Sequence, residues 1–210
     1  MTFAAPAQLQ EIGAGAFSEC RSLNHIVFTD ASCLQKIDCS AFRGSGLISF
    51  VAPETLRDIG SGAFRGCGKL VEAVLNEGLE ILGQSEIFAD GSLTRVSLPS
   101  TLRRLGTAVF RGSKLRRVQL PELLEVIGDD CFQNTALEQL EVPERVMAIG
   151  SRAFSGCADL KRVKFAPKAQ VQVLAEGVFS GTGLESFTAP ASLRHISAGA
   201  FAGCRALKTV

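Results

Sequence analysis

The sequence contains no tryptophan and no tyrosine, so phenylalanine supplies every aromatic ring. Tyrosine and tryptophan dominate tight binding hot spots, and a partner surface on this chain must therefore use other residue types. The formal net charge of +1 gives no reason to expect a nucleic-acid or an anionic-membrane partner. A membrane-spanning helix needs about 18 consecutive apolar residues, and no apolar run in this sequence is that long, so we expect no membrane insertion. The first residues lack the basic and apolar regions of a secretory signal.

Phenylalanine marks an internal repeat that runs through the whole chain. It recurs at intervals of 22 to 25 residues, with apolar residues before it and a leucine five or six positions after it. Stacked repeats bury a continuous core that a single repeat cannot bury. We therefore predict one solenoid domain over residues 1–210, with about nine repeats. The repeats are centred on Phe17, Phe42, Phe64, Phe88, Phe110, Phe132, Phe154, Phe179 and Phe201.

Each part of the repeat has a structural interpretation. The segment LRRVQLP, residues 115–121, predicts a short strand that ends at proline, because proline cannot donate the next hydrogen bond of a sheet. The segment LRRLG, residues 102–106, predicts a second extended piece whose glycine marks a turn or a close backbone approach. The alanine–phenylalanine pair then predicts about one tight helical turn that directs the phenylalanine into the core.

The position two residues after each phenylalanine predicts a left-handed backbone that ends the turn. Glycine, asparagine and aspartate tolerate positive φ, and only these types occupy the position in eight copies. The eight residues are Gly44, Gly66, Asp90, Gly112, Asn134, Gly156, Gly181 and Gly203. Glu19 stands there in the first copy, and we expect it to be strained or differently shaped.

The frame LxxIGxxAFxGCxxLxxVxxP resembles the BspA-type leucine-rich repeat over essentially the whole chain. The resemblance implies a leucine-rich-repeat solenoid, a right-handed superhelix with a parallel sheet on its concave face. It also implies a place among bacterial and protist surface proteins that adhere to host or matrix proteins. Since TFAAP and LKTV look like incomplete strands and neither end has a polar cap, we expect a fragment of a longer array, or end-to-end self-association.

The cysteines predict structural thiols and not a disulfide or zinc site. Four stand three residues after the phenylalanine, namely Cys20, Cys67, Cys157 and Cys204. The nearest of these, two repeats apart, should be about 10 Å from each other, whereas a disulfide needs Cα atoms within roughly 7 Å. Serine or threonine fills this position in several other copies, which predicts a buried hydrogen bond to a turn carbonyl. The remaining three, Cys33, Cys39 and Cys131, fall in unrelated positions.

We predict that the chain is not an enzyme and has no cofactor or metal site. His25 and His195 should lie on the order of 35–40 Å apart, and neither has the neighbours that nucleophilic catalysis requires. Both are expected to be solvated, His25 on the concave face and His195 on the second extended piece. The fragment Gly60–Ser61–Gly62 lacks the third glycine and the βαβ context of a nucleotide fingerprint.

A solenoid binds through the face that its strands present, and the places one, two and four after the leucine should point outward. In the early repeats these places predict an apolar patch made of Val27, Ile48, Val51, Val71 and Val74. The patch marks an interaction site, or it reflects the strand preference of β-branched residues, or a missing neighbour covers it. Later places carry alternating charges, which either pair across strands or form a recognition strip. The candidate residues of this strip are Arg95, Arg116, Arg117, Glu138, Glu141, Lys161 and Lys164.

The resulting hypothesis is a non-enzymatic module that binds or adheres to a protein partner through the concave face. One alternative is an intracellular scaffold that uses the same surface, which the free cysteines favour. Another is a structural spacer in a larger receptor. The resemblance implies a cell-surface or extracellular location, whereas the free cysteines and the lack of a signal in this chain favour the cytoplasm.

Overall fold

The computed structural model describes residues 1–209. Within this range the chain forms sixteen short strands and no helix. All paired strands run parallel, as expected when successive repeats stack in the same direction. The strands are β1 (Thr2–Ala4), β2 (Glu11–Ile12), β3 (His25–Val27), β4 (Lys36–Ile37), β5 (Ser49–Val51), β6 (Asp58–Ile59), β7 (Glu72–Val74), β8 (Ile81–Leu82), β9 (Arg95–Ser97), β10 (Arg104–Leu105), β11 (Val126–Ile127), β12 (Gln139–Val142), β13 (Ala148–Ile149), β14 (Arg162–Phe165), β15 (Val173–Leu174) and β16 (His195–Ile196).

The strands form two rows, one from each extended piece of the repeat. In the first row, pairing joins β1–β3, β5–β7–β9 and β12–β14. In the second row, it joins β2–β4–β6, β8–β10–β11–β13 and β15–β16. The predicted parallel-sheet solenoid is confirmed, although hydrogen bonding within each row is interrupted in places.

The repeat phenylalanines form a single column of rings through the molecule, which we call the Phe column. Each ring stacks on the next, with centroids 5.1 to 5.8 Å apart in eight successive pairs. The seven rings from Phe42 to Phe179 are at most 1% exposed, whereas Phe17 and Phe201 are partly exposed. Stacked aromatic pairs add about 0.5–1.5 kcal/mol each beyond their buried area, so the column stabilises the contacts between successive repeats.

Backbone hydrogen bonds run along the Phe column between repeats. The N–H of Phe110 donates to the carbonyl of Cys131, at 2.9 Å, and the N–H of Phe132 donates to the carbonyl of Ala153, at 2.8 Å. The same bond, from the phenylalanine to the residue just before the next phenylalanine, joins every successive pair in the column. Rings and backbone therefore set the same spacing between repeats.

The alanine–phenylalanine segment forms successive tight turns and not the helical turn that the sequence suggests. In the seventh repeat, the N–H of Ser155 donates to the carbonyl of Arg152, three residues earlier, at 3.0 Å. Arg152 and Gly156 have positive φ values of 54° and 73°. This alternation turns every second N–H out of the segment, so that Arg152, Phe154 and Gly156 all donate to the next repeat. A helix would keep those donors within its own segment.

The predicted left-handed position after the phenylalanine is confirmed in all nine copies, including Glu19 with φ of 59°. A second left-handed position, two residues before the phenylalanine, was not predicted. It is occupied by Gly15, Ser40, Gly62, Glu86, Ala108, Asp130, Arg152, Gly177 and Gly199. Only four of these are glycine, so five side chains accept a backbone conformation that costs of order 1–3 kcal/mol.

Ion pairs join some of these left-handed residues to their neighbours. Arg152 binds Asp130 of the preceding repeat, with Nε 2.9 Å from Oδ1. The Glu86 carboxylate accepts hydrogen bonds from the guanidinium groups of Arg65, at 2.5 Å, and Arg111, at 2.6 Å. The Asp90 carboxylate forms ion pairs with the same two arginines. The charged side chains thus connect repeats on the outside of the turns.

The glycine of the second extended piece allows a close backbone approach, as predicted. A Cβ at Gly106 would lie 2.6 Å from the carbonyl oxygen of Gly83, which no real side chain tolerates. The φ angle of Gly106 is not positive, so space and not backbone conformation requires the glycine.

We expect Gly156→Val to destabilise the protein by about 1–3 kcal/mol, because valine at positive φ is strained. Its Cβ would also overlap Oδ1 of Asn134. Gly68→Val is the matched control, since a Cβ there meets nothing within 4 Å and φ is not positive. Urea unfolding of both variants measures the difference. Equal midpoints for Gly156→Val and the unmodified protein would show that the left-handed position is not needed.

Candidate partner-binding face

The cysteines three residues after the phenylalanine hydrogen-bond to the turn of the preceding repeat. The thiols of Cys67, Cys157 and Cys204 donate to the carbonyls of Phe42, Phe132 and Phe179, each at 3.0 Å. Each thiol also contacts the hydroxyl at the equivalent position of that preceding repeat, such as Thr135 beside Cys157 at 3.1 Å. The predicted buried hydrogen bond to a turn carbonyl is confirmed at Cys67 and Cys157. At Cys204 the same bond is partly buried, and the Cys20 thiol forms no such bond with any described residue.

Burial makes the thiols of Cys67, Cys131 and Cys157 poor nucleophiles. It raises the pKa of Cys67 and of Cys157, and it raises the pKa of the fully buried Cys131 still further. All seven cysteines are free. Among residues 1–209 no group of three or more histidine, cysteine, aspartate or glutamate side chains is placed to hold a metal ion.

The two histidines lie on different strand rows, as predicted. His25 is exposed on β3 in the first row, and His195 is exposed on β16 in the second row. Neither forms an ion pair or a side-chain hydrogen bond within the described part of the chain.

The outward places of the first strand row form one exposed face, which we call the row-one face. Inward places are filled by core residues such as Phe50, Ala73 and Leu140, each at most 1% exposed. The outward places alternate with them and are exposed or half-buried throughout. The period of two that defines a strand therefore separates the core from the candidate binding surface.

The apolar patch lies on β3, β5, β7 and the residues just before them. Val27 is 50% exposed, Val51 is 61% exposed, and Val51 pairs in register with Val74 on the next strand. Ile48 and Val74 are 38% and 36% exposed, while Val71 is half-buried. The structure thus brings the five predicted residues together on one side of the row-one face.

The charged strip occupies the later repeats of the same face, and most of its side chains pair across strands. Arg116 binds Glu138. Nζ of Lys164 lies 3.9 Å from Oε1 of Glu141, which is its register partner on β12. Nζ of Lys161 lies 4.0 Å from Oε1 of Glu185. These pairs are mostly exposed, and exposed ion pairs contribute only about 0–1 kcal/mol each.

Arg95 and Arg117 differ in their pairing. Arg95 binds Glu72 of the preceding strand at 3.2 Å, and its hydrogen bonds lower the pKa of the Glu72 carboxyl. Arg117 is exposed and forms no ion pair with any described residue. Glu72 had not been predicted as part of the strip, although its place two after Leu70 marks it as outward-facing.

Arg162 is a second residue that the sequence interpretation missed. It is exposed on β14, has no ion-pair partner among the described residues, and lines a cleft of the row-one face with Arg117. Both arginines stand two places after the repeat leucine, so the outward pattern could have identified Arg162. The strip therefore contains two arginines available to a partner.

None of the described segments is helical, and hence none is a helix long and apolar enough to cross a membrane. Other exposed apolar side chains lie on the second row or near it, among them Ile81, Met147, Val173 and Ile196. They are distributed over both halves of the chain. In the row-one patch, Val51 and Val74 are register partners on neighbouring strands.

The stacked repeats and their two parallel strand rows define a leucine-rich repeat solenoid. The sequence matches the model of the BspA-type leucine-rich repeat region, in six copies, over residues 1–88 and 84–208. The chain belongs to this family. Its repeats are typical of protein–protein interaction modules, and proteins of this kind are generally non-enzymatic.

Solved structures with the same fold are bacterial leucine-rich repeat proteins. The pneumococcal vaccine antigen PcpA aligns at 19% identity with a TM-score of 0.55, over 95% of this chain and 63% of that chain. A leucine-rich cell surface protein from Faecalibacterium prausnitzii aligns at 24% identity with a TM-score of 0.52. The alignment covers 99% of this chain and 52% of that protein. A leucine-rich repeat protein from Bacteroides ovatus aligns at 23% identity with a TM-score of 0.52. The alignment covers 99% of this chain and 77% of that protein.

The present chain spans less than two thirds of the first two of these proteins. At such identities the likeness establishes the fold and not a ligand. No curated protein matches the sequence significantly.

We expect iodoacetamide to label Cys39 readily at neutral pH, because its thiol lies at the surface. Cys67, Cys131 and Cys157 should resist labelling until the protein unfolds, since their raised pKa values and burial leave almost no accessible thiolate. Mass spectrometry of peptides from native and urea-unfolded protein checks the order. Rapid native labelling of Cys157 would contradict the buried hydrogen bond.

Proposed function

We propose that the chain is a non-enzymatic module that binds a protein partner through the row-one face, with the apolar patch as the central contact. The observation that carries the proposal is the exposure of Val27, Ile48, Val51 and Val74 on consecutive repeats. Contiguous exposed apolar surface favours association, because covering it removes apolar area from water.

Strand preference alone does not account for these valines. The equivalent places in later repeats are filled by polar residues, namely Ser97, Gln119, Glu141 and Lys164. Those repeats continue the same stack, and three of these residues, Ser97, Glu141 and Lys164, lie within named strands. The fold therefore tolerates polar side chains at this place, and the change to valine in the early repeats favours a contact surface.

The charged strip would give the interaction its orientation. Complementary charges at the edge of an interface mainly set specificity and association rate, and contribute less to affinity. Arg117 and Arg162 are the strip residues free to meet carboxylates of a partner. A partner that covers the whole face would thus place apolar residues over the early repeats and acidic residues over the later ones.

Adhesion at a cell surface is the finer form of this proposal. It is supported by family membership and by the likeness of fold to a bacterial cell surface protein. An intracellular scaffold would use the same face. A structural spacer would need no exposed patch, and this difference separates it from both. End-to-end self-association stays a prediction.

We expect the double variant Val51→Asp, Val74→Asp to fold and to lose partner binding, because charges replace the central apolar contact. A displayed library of random peptides, selected on the unmodified protein, supplies the probes. The selected clones should bind the double variant at least tenfold more weakly, which corresponds to about 1.4 kcal/mol.

Ile81→Asp with Val173→Asp is the matched control, because both residues are exposed on the second strand row. The selected clones should keep their affinity for it. Clones that bind both double variants as well as they bind the unmodified protein would contradict the proposal. Failure to select any clone would favour the spacer.

A further inference from the structure

The first strand row is open at its fifth repeat. Residues 116–120 occupy the strand place of that repeat but form no strand between β9 and β12. One backbone hydrogen bond remains, from the N–H of Glu138 to the carbonyl of Arg116 at 3.1 Å. The N–H and carbonyl groups of Arg117, Val118 and Gln119 bond to no described group. The rows on either side pair fully, as β7–β9 and β12–β14.

The opening also exposes residues of the inner face. Val96 and Val118 are only half-buried, whereas Phe50, Ala73 and Leu140 at the same place are fully covered. A cleft of about 600 Å³ lies beside the opening and is lined by Val118, among other residues. The opening therefore offers unpaired backbone groups and apolar side chains in one place.

The charges around the opening favour an acidic ligand. Glu72, Glu138 and Glu141 each have a basic partner. Arg117 has none within residues 1–209, and it lines all three clefts that border the opening. Glu122 and Asp159 have no ion-pair partner among residues 1–209 and also line these clefts, Glu122 at the proline end of the segment and Asp159 beside Arg162. Arg117 and Arg162 balance these two carboxylates, and Arg117 alone borders all three clefts.

We propose that the opening at the fifth repeat binds an extended, acidic segment of the partner protein. The segment would lie along the row-one face and exchange hydrogen bonds with the backbone groups of residues 117–119 that have no partner among the described residues. One of its carboxylates would form a two-pronged ion pair with the Arg117 guanidinium. Its alternate apolar side chains would cover Val96 and Val118. This inference rests on the proposed function and names the chemistry of the partner segment.

The probe is a short capped peptide of alternating valine and threonine around two central aspartates. Two comparison peptides replace the aspartates by lysines or methylate alternate backbone nitrogens. We expect the aspartate peptide to bind the unmodified protein at least fivefold more tightly than either comparison peptide. Methylation removes the N–H donors that strand pairing needs, and lysine repels Arg117. Fluorescence anisotropy measures each affinity.

Arg117→Gln should weaken binding of the aspartate peptide at least fivefold. Arg104→Gln is the matched control and should have no effect, since Arg104 is exposed on β10 of the second row and forms no ion pair within residues 1–209. Amide exchange should be fast at residues 117–119 in the free protein and slower with the peptide bound. Equal binding of the aspartate and lysine peptides, or equal losses in the two variants, would overturn the proposal.

The result separates this inference from the proposed function. If library clones require Val51 and Val74 but the aspartate peptide ignores Arg117, the opening is not the docking position and the binding face still stands. If neither surface matters, both proposals fail. Self-association that rises with protein concentration and disappears in Arg117→Gln would identify a second copy as the occupant and would also overturn the inference.

Discussion

The hydrogen bond from each column phenylalanine to the carbonyl before the next one sets the geometry of the whole solenoid. It fixes the separation of neighbouring repeats at the level of the backbone, and the rings then stack at the same separation, 5.1 to 5.8 Å. Left-handed residues on both sides of the phenylalanine make the bond possible, because they turn alternate N–H groups toward the neighbouring repeat. The thiol and hydroxyl groups after the turn add a second set of bonds between repeats.

This constraint explains how the candidate site arises. The core side of each repeat is committed to phenylalanine, leucine and small residues, so variation between repeats is confined to outward places. There the chain changes from valine in the early repeats to charged residues in the later ones without altering its path. A single fold thereby carries, on one continuous face, an apolar surface, a charged strip and two arginines that form no ion pair with any described residue.

The fold was predictable because the repeat averages over local ambiguity. One phenylalanine proves little, but the recurring frame predicted the column, the two extended pieces and the left-handed residue at positions such as Gly156. The second left-handed position was missed because Glu86, Ala108 and Arg152 are unusual there, and ion pairs between repeats hold two of them. The prediction of a helical turn was wrong because the sequence of one repeat does not show that its backbone N–H groups donate to carbonyls of the next repeat.

The candidate face was predictable in outline only, since the period of two identified outward places but not pairing between side chains or the opening at residues 116–120. Whether these residues bind a partner stays a prediction. Amide hydrogen exchange, with nitrogen-labelled phenylalanine, tests the central claim most directly. The account predicts slow exchange at the global unfolding rate for Phe42 through Phe179 of the column, and fast exchange for Phe201, whose N–H donates to no described carbonyl. Fast exchange at Phe110 or Phe132 in the folded protein would contradict it.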